Sequence, residues 1–392
     1  MNSRQRVLTA LDHREPDRVP YDLGSTQVTG IAIRAYERLR AHLALPPRQT
    51  QVCDILQQLA LPDEDVLERL AVDTRGLYPL CANNIPVPPG AEAWQRSHTK
   101  TDDGWTYLDE WGLTQFLPAE DGLYYSIIDQ PLGGADVTVE QIERLDLPAG
   151  DETWRFDGLR ETAQAYLDAG KTVVLKGVCA GLAEMGERLR GMDNFLVDLL
   201  ANPAAAEALM DRFLEIKLRY WARAAETVGD LADVVMEADD YGTQQSQLIS
   251  PEMFRNLFKP RLAQLIDRMR TLLPSAKILF HSCGSVRPII PDFIEIGIDV
   301  LNPVHITAAG MEPAGLKRDF GADLCFWGGG VDTQGVLPHG SPEQVRENVR
   351  RNVEALSPGG GWVFNTVHNI QADVPPGNVL AMWEALQDFG RY

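Results

Sequence analysis

The chain has 392 residues, of which 44% are hydrophobic and 8% aromatic, so it can bury a large core. Its formal net charge of −20 speaks against a nucleic-acid binder, because affinity for phosphates depends on a basic surface. Five cysteines without paired spacing and an N-terminus unlike a secretory leader predict a cytoplasmic protein, and no apolar run is long enough for a membrane span.

The first part of the chain mixes helical periods with short apolar runs that end at turn residues. Helical spacing predicts helices over 2–13, 31–45 and 52–70, the last interrupted near Pro62. The apolar runs predict strands at 19–24 and 72–77.

A different pattern begins at Trp94 and continues to Tyr125, where aromatic residues and threonines alternate with polar residues. Asp-Gly and Trp-Gly turns interrupt the alternation at Gly104 and Gly112. This is typical of antiparallel hairpins. We therefore expect an inserted β flap over about 94–130, within one domain that spans 1–392.

The remainder of the chain alternates strands with helices. Strands are predicted at 171–177, 233–240, 277–286, 299–303, 324–329 and 361–366. Helices are predicted at 151–170, 191–227 with a break at 202–203, 251–273, 288–296, 313–320 and 342–356. Such alternation indicates βαβ units and a parallel sheet, and a total of about eight strands predicts a TIM (β/α)8 barrel. An open doubly wound sheet is the alternative.

In a barrel, functional side chains collect at the carboxyl ends of the strands. The polar residues at those positions are Asp22, Arg75, Lys176, Glu237, Asp239, Asp240, His281, Cys283, Asn302, His305, Asp332, Asn365 and His368. Some of them are expected to be structural, because the ends of core strands need polar residues.

The pair His281 and Cys283 is the strongest candidate for a metal site among these residues. Positions i and i+2 of a strand lie on one face, and both side chains are good zinc ligands. A buried core histidine beside an inert thiol is the other interpretation. His368 is the first candidate for a third ligand, with Glu237, Asp239 and His305 as alternatives. A zinc ion bound partly by thiolate suits methyl transfer, although zinc hydrolases use the same types of ligand.

Longer phrases resemble the uroporphyrinogen decarboxylase-like superfamily. They are DDYGTQQSQLISPEMFRNLFKP (239–260), FHSCGSVRPIIPDFIEIGIDVLNP (280–303), FWGGGVDTQGVLP (326–338), HNIQADVPPGNV (368–379) and, near the start, HREPDRVPYDLG (13–24). The resemblance covers both ends and most of the second half, and it implies a TIM barrel.

The resemblance also distinguishes two activities. Uroporphyrinogen decarboxylases carry an M-R-Q-A-G-R-Y-type segment whose arginines bind the tetrapyrrole carboxylates; nothing here matches it, although Arg4, Arg6, Arg14 and Arg18 are present. The H-x-C-G motif is instead similar to that of the zinc-dependent, corrinoid-linked methyltransferases. In that branch zinc is held by a His, a Cys and a later Cys, and methyl passes between cobalamin on a corrinoid protein and a thiol, a folate or a methylated substrate.

His281 and Cys283 match that pattern directly, whereas the later cysteine does not. Relatives often read C-H-N-I-Q, and here Val367 precedes His368. Either His368 or an acid such as Glu237 replaces the missing ligand, or the metal site is weak or absent.

The resemblance therefore predicts a zinc-dependent methyltransferase that moves a methyl group between a corrinoid protein and a small molecule. Zinc would bind to His281, Cys283 and His368, while Glu237 and Asp239 would tune the metal or handle protons. Barrels of this kind often form homodimers, although the sequence does not determine the oligomeric state. The alternatives are uroporphyrinogen decarboxylase-type chemistry and a non-catalytic corrinoid- or porphyrin-binding protein.

Overall fold

The computed structural model describes residues 1–81, 83–84, 98–120, 122–134 and 136–392. Its strands are β1 (Ile31–Ala32), β2 (Gln51–Asp54), β3 (Leu59–Leu61), β4 (Thr74–Leu77), β5 (His98–Lys100), β6 (Gly104–Leu108), β7 (Thr114–Pro118), β8 (Ser126–Asp129), β9 (Thr172–Lys176), β10 (Val234–Ala238), β11 (Lys277–His281), β12 (Val300–Asn302), β13 (Cys325–Trp327) and β14 (Trp362–Val363).

The largest sheet is parallel and contains seven strands in the order β14-β13-β12-β11-β10-β9-β4. The segment at 19–23 closes this sheet. Tyr21 bridges Phe364 in parallel beyond β14, and its carbonyl accepts a 2.8 Å hydrogen bond from the Asp73 backbone next to β4. With this segment as the eighth strand, the sheet curls into a TIM barrel, so the predicted fold is confirmed and an open sheet is wrong.

Helices surround the barrel, as expected when right-handed crossovers connect parallel strands. They are α1 (Ser3–Leu11), α2 (Ile33–His42), α3 (Glu64–Arg69), α4 (Val139–Glu143), α5 (Leu159–Asp168), α6 (Leu182–Arg190), α7 (Met192–Ala201), α8 (Pro203–Thr227), α9 (Pro251–Met253), α10 (Lys259–Leu272), α11 (Ile290–Glu295), α12 (Pro313–Phe320), α13 (Val336–His339), α14 (Pro342–Leu356) and α15 (Pro376–Phe389). A π-helical turn, Phe254–Phe258, joins α9 to α10. Among the described residues, no helix combines the length and apolar character needed to cross a membrane.

The barrel interior is apolar, and its two ends differ. Inward side chains of the strands, such as Val234, Met236 and Leu279, pack with Val7 and Leu11 of α1. Helix α1 therefore covers the amino-terminal end of the barrel. The carboxyl ends of the strands remain for a site, as the strand order predicts.

The predicted helix over 52–70 is wrong for most of its length. Residues in the first half form β2 and β3, which pair with each other, and β3 pairs with β1, all antiparallel; only α3 is helical. The Asp54 carboxylate accepts a hydrogen bond from the Gln57 backbone, and Gln58 has φ of 54°, so a turn replaces the helix. Sheet pairing with β1 here overrides helical spacing.

The flap is a four-stranded antiparallel sheet in the order β5-β6-β7-β8. It confirms the predicted hairpin chemistry over 98–129, whereas residues 94–97 of the predicted flap lie outside the described residues. The β6–β7 turn is fixed by Asp109, which accepts backbone hydrogen bonds from Trp111 and Leu113 at 2.9 and 3.0 Å. This turn reaches the carboxyl end of the barrel.

Candidate metal centre

His281, Cys283 and His368 meet at the carboxyl end of the barrel. His281 is the last residue of β11, Cys283 follows two residues later, and His368 lies in the loop after β14. One ligand atom from each residue can be chosen so that all three lie within 4.8 Å of one another. The thiol sulfur of Cys283 is 3.4 Å from Nε2 of His281, and the two imidazole rings meet edge-on at 5.5 Å.

Asn302 at the end of β12 orients the buried ring of His281. The Asn302 amide nitrogen donates a 2.9 Å hydrogen bond to the carbonyl of Trp327, so its oxygen faces Nδ1 of His281 at 2.5 Å. Nδ1 must then carry the proton and donate, which leaves the lone pair of Nε2 directed at Cys283. An outer hydrogen bond of this kind fixes the ring of a metal-ligating histidine.

The donor set fits zinc. Zinc takes thiolate sulfur at about 2.3 Å and imidazole nitrogen at about 2.0–2.1 Å, and its protein sites are tetrahedral. Two such ligands on tetrahedral corners lie about 3.6 Å apart, which follows from those bond lengths. The 3.4 Å between His281 and Cys283 is close to that value. The residues would hold three corners and leave a fourth position open.

Burial and neighbouring charges favour the neutral forms of the Cys283 thiol and the His368 imidazole. Burial, followed by Asp240 and Glu184, raises the pKa of the Cys283 thiol well above its usual value. Burial, with His281 and His305 nearby, lowers the pKa of His368 to about 3. A cation at the cluster would reverse the effect on the thiol, because a coordinated sulfur is deprotonated.

Asp240 is the carboxylate that reaches the cluster, and it is not among the acids that the sequence led us to assign to the site. Its Oδ1 accepts the Cys283 backbone N–H at 2.7 Å and lies 3.7 Å from Nε2 of His281. The register of β10 explains this, because Ala238 faces the interior and the alternation brings Asp240 to the same side. Strand parity is the signal that could have identified it.

Glu237 points to the other face of β10, toward the helices. Its two carboxylate oxygens accept 2.6 Å hydrogen bonds from the Lys217 ammonium and the Trp221 indole, both on α8. Glu237 and Lys217 are almost fully buried. The structure therefore places Glu237 away from the cluster, in an ion pair between β10 and α8.

Asp239 likewise points outward and caps a helix. Its carboxylate accepts hydrogen bonds from the backbone N–H groups of Ala183 and Glu184 at 2.9 and 3.0 Å, at the first turn of α6. Burial, followed by repulsion from Glu184, raises the pKa of Asp239 to about 7. A β-carbon on Gly181 would lie 2.0 Å from this carboxyl group, so only glycine fits there.

His305 lies behind the cluster. Its Nδ1 accepts the Gly284 backbone N–H at 3.1 Å and is therefore engaged. Val367, at the position where the resemblance led us to look for a cysteine, is 4% exposed, and its backbone N–H is bonded to the carbonyl of Val331. The structure thus brings His368, rather than His305, to the pair on β11.

A cavity of about 170 Å³ opens beside the cluster and includes His281, His368 and Asp240 in its walls. The flap contributes the turn residues Asp109, Glu110, Trp111 and Leu113, and the β2–β3 turn contributes Asp54, Leu56 and Gln57. Its basic side chains among the described residues are Lys176 and Arg188. The two inserted sheets therefore form walls of the same cavity as the barrel.

The barrel and its polar carboxyl end define an α/β-barrel protein with a site where enzymes of this architecture have theirs. Residues 129–389 match the family described as uroporphyrinogen decarboxylase (URO-D), and the chain belongs to that family. The family membership expected from the sequence phrases is thereby confirmed.

Similarity to individual proteins agrees with this. Proteins named uroporphyrinogen decarboxylase from three strains of Coxiella burnetii are 26% identical over 263 residues, which is 64% of this chain and 68% of theirs. A solved methyltransferase from Methanosarcina mazei is 18% identical, with a TM-score of 0.61 over 99% of both chains. The latter similarity shows that the fold extends over the whole chain.

Proposed function

We propose that the protein is a zinc-dependent methyltransferase built as one barrel domain with an inserted flap, which exchanges a methyl group between a corrinoid protein and a small molecule. The observation that carries the proposal is the His281, Cys283 and His368 cluster with its ligand atoms within 4.8 Å. The fold of the Methanosarcina mazei methyltransferase over the full length supports the same conclusion.

Two residues of this chain, Asn302 and Asp240, orient the ligands of the proposed zinc ion. Asn302 holds His281 with Nε2 free to bind, and Asp240 holds the Cys283 backbone through its N–H. A zinc ion bound there supplies a Lewis acid that favours the thiolate form of an incoming thiol or binds a donor heteroatom. The flap turn at Trp111 and the barrel wall enclose the small molecule and limit its access to water.

The proton-handling role predicted for Glu237 and Asp239 stays a prediction. Their contacts favour an indirect role, because Glu237 is paired with Lys217 and Asp239 caps α6. Among the residues that the structure describes, Asp240 is the acid that approaches the cluster, with Oδ1 at 3.7 Å from Nε2 of His281. We propose Asp240 as the residue that positions Cys283 for metal binding.

Decarboxylation is the second candidate, favoured by the names of the family and of the Coxiella burnetii relatives. The N-terminal arginines speak against it, because they are engaged near the covered end of the barrel. Arg4 pairs with Asp233, while Arg6 and Arg18 both pair with Asp73. Bidentate arginines that bind substrate carboxylates would have to be free of such partners.

A zinc assay tests the proposed metal centre. Purified wild-type protein is expected to contain about one zinc per chain, and His281→Ala and Cys283→Ser are expected to lose it. Cys325→Ser serves as the matched control, because Cys325 lies in the barrel interior and bonds the Leu11 carbonyl and His13. Equal zinc content in all four proteins would refute the metal centre.

The activity itself is tested with methylcobalamin and a set of thiols, followed by the absorbance change of the cobalamin. Demethylation that depends on zinc, His281 and Cys283 is the expected result. Turnover of uroporphyrinogen by the metal-free protein would instead establish the decarboxylase. Tight corrinoid binding without any methyl transfer would establish a carrier.

A further inference from the structure

Asn369 follows His368 in the loop after β14 and is almost fully buried, at 1% exposed. Both N–H groups and the oxygen of its side-chain amide are engaged. The oxygen accepts the Gly30 backbone N–H at 2.6 Å, and the nitrogen donates at 2.9 Å to the Gln27 carbonyl and to Oε1 of Gln57. One amide therefore joins three segments that are far apart in the sequence.

The partners fix the orientation of this amide. A backbone N–H can only donate and a carbonyl can only accept, so the Asn369 oxygen faces Gly30 and its nitrogen faces Gln27. Nε2 of Gln57 donates to the same Gln27 carbonyl at 3.2 Å, so Oε1 of Gln57 is left to accept from Asn369. Leucine has the shape of asparagine but could make none of these hydrogen bonds, so the network requires an amide at this position.

The ring of His368 has no such support of its own. His281 is oriented by Asn302, whereas the His368 ring makes no hydrogen bond with any residue that the structure describes. It meets the His281 ring edge-on at 5.5 Å. A metal-ligating histidine usually has an outer partner that fixes its ring. The position of His368 therefore depends on the backbone of its loop, and Asn369 is the adjoining side chain that anchors this backbone to other segments.

The anchored segments also belong to the cavity beside the cluster. Gln27 and Gln57 line that cavity, and Gln57 lies in the β2–β3 turn. Next to Asn369, the Ile370 backbone N–H donates to the Gly30 carbonyl at 3.0 Å and continues the connection. The loop that carries His368 and this wall of the cavity are thus one hydrogen-bonded unit.

We propose that Asn369 is a positioning residue, which holds His368 in the geometry that a metal ion needs and connects it to the β2–β3 turn of the cavity wall. The metal part of this inference rests on the proposed function, whereas the placement of the His368 ring does not. Loss of an outer partner in a metal site weakens metal binding about 10- to 100-fold. A loss in this range is therefore expected when the hydrogen bonds of Asn369 are removed.

The first test measures zinc affinity by competition with a chelating dye. Asn369→Leu keeps the shape of the side chain, removes all three hydrogen bonds, and is expected to weaken zinc binding about 10- to 100-fold. Gln57→Leu removes one of the three and should weaken it by roughly 2- to 10-fold, the range for one hydrogen bond. If Asn369→Leu does not fold, Gln57→Leu replaces it, and wild-type affinity in that variant would overturn the proposal.

Asn378→Leu is the matched control. Asn378 is also buried, and its amide nitrogen donates to the carbonyls of Leu337 and Gly340 at 2.9 Å, away from the cluster. Its zinc affinity should equal that of wild type, although both changes remove buried hydrogen bonds. Equal zinc affinity in folded Asn369→Leu, Asn378→Leu and wild type would contradict the positioning role.

Cobalt(II) in place of zinc identifies the ligand that is disturbed. Asn369→Leu is expected to keep the charge-transfer band between the Cys283 thiolate and cobalt and to change the visible d–d bands, because the imidazole of His368 is misplaced. Unchanged d–d bands in the folded variant would speak for a purely structural asparagine and against the proposal.

A metal-free measurement separates this inference from the proposed function. The chain has seven histidines, so ring signals of protein with 13C-labelled histidine can be assigned by His368→Ala and His281→Ala. In zinc-free protein, a shift of the His368 signal in Asn369→Leu but not in Asn378→Leu supports the positioning role even if the wild type binds no zinc. Conversely, normal zinc affinity and an unmoved His368 signal in Asn369→Leu refute that role and leave the metal centre standing.

Discussion

Disrupting the buried ion pair between Glu237 and Lys217 tests whether Glu237 stabilises the fold or binds the metal. Both side chains are almost fully buried, and the Glu237 carboxylate has the Lys217 ammonium and the Trp221 indole as its partners, each at 2.6 Å. Burial disfavours the charge of Lys217, but Cys179 and Glu237 together raise its pKa above the ordinary value. The lysine is therefore charged at neutral pH, and the carboxylate needs it.

Lys217→Met leaves the carboxylate with one neutral donor in an apolar layer. Removal of one partner of a buried pair costs about 3–5 kcal/mol, because the other charge stays buried without compensation. We therefore expect Lys217→Met to lower the free energy of unfolding by that amount. The double variant Lys217→Met, Glu237→Leu should cost less than either single change, because no charge is then left unpaired.

Urea denaturation, followed by circular dichroism, measures these costs, and zinc content is determined on the same preparations. The expected result is a loss of stability with zinc retained in the folded fraction. If Glu237→Leu has a free energy of unfolding within about 0.5 kcal/mol of wild type and binds no zinc, the structural role is refuted and Glu237 is a ligand.

Three further predictions concern the cluster. Asn302→Leu should weaken zinc binding by about 10- to 100-fold, because it frees the ring of His281, and a competition titration with a chelating dye measures this. His368→Ala should weaken zinc binding more than about 100-fold, which exceeds the loss expected for a residue that only hydrogen-bonds to a metal ligand. His305→Ala should leave zinc binding nearly unchanged. The opposite order would show that His305 is the ligand. Zinc binding at pH 7 should release about one proton from Cys283 and none from His368, because burial raises the pKa of the thiol and lowers that of the imidazole to about 3. The affinity for zinc should therefore rise about tenfold per pH unit up to the thiol pKa. Calorimetry in buffers of different ionisation enthalpy counts the released proton.

The barrel could be predicted because its signals are local. The strand segments around Thr172–Lys176, Val234–Ala238 and Lys277–His281 are short apolar runs between turn residues, and each crossover is long enough for a helix. Prediction failed at β2 and β3, where helical spacing competes with pairing to β1. The pairing of β3 with β1 joins segments that are distant in sequence, so no local pattern records it.

The candidate site was predictable to a similar degree. His281 and Cys283 are two residues apart at the end of one strand, so the period of the strand puts them on one side whatever surrounds the sheet. Glu237, Asp239 and Asp240 are adjacent in sequence, and the composition of the segment does not say which of them faces the interior. The register of β10 against its neighbours selects Asp240.

The sequence by itself determined the alternation of strands and helices, the family and the pair His281 and Cys283, because these depend on local periodicity and on short phrases. Only the tertiary structure decided that His368 joins that pair and that Glu237 belongs to an ion pair with α8. The physical reason is that closing the barrel brings strand ends separated by up to hundreds of residues into one space. Their distances and charges then determine the chemistry, and neither is encoded in any single segment.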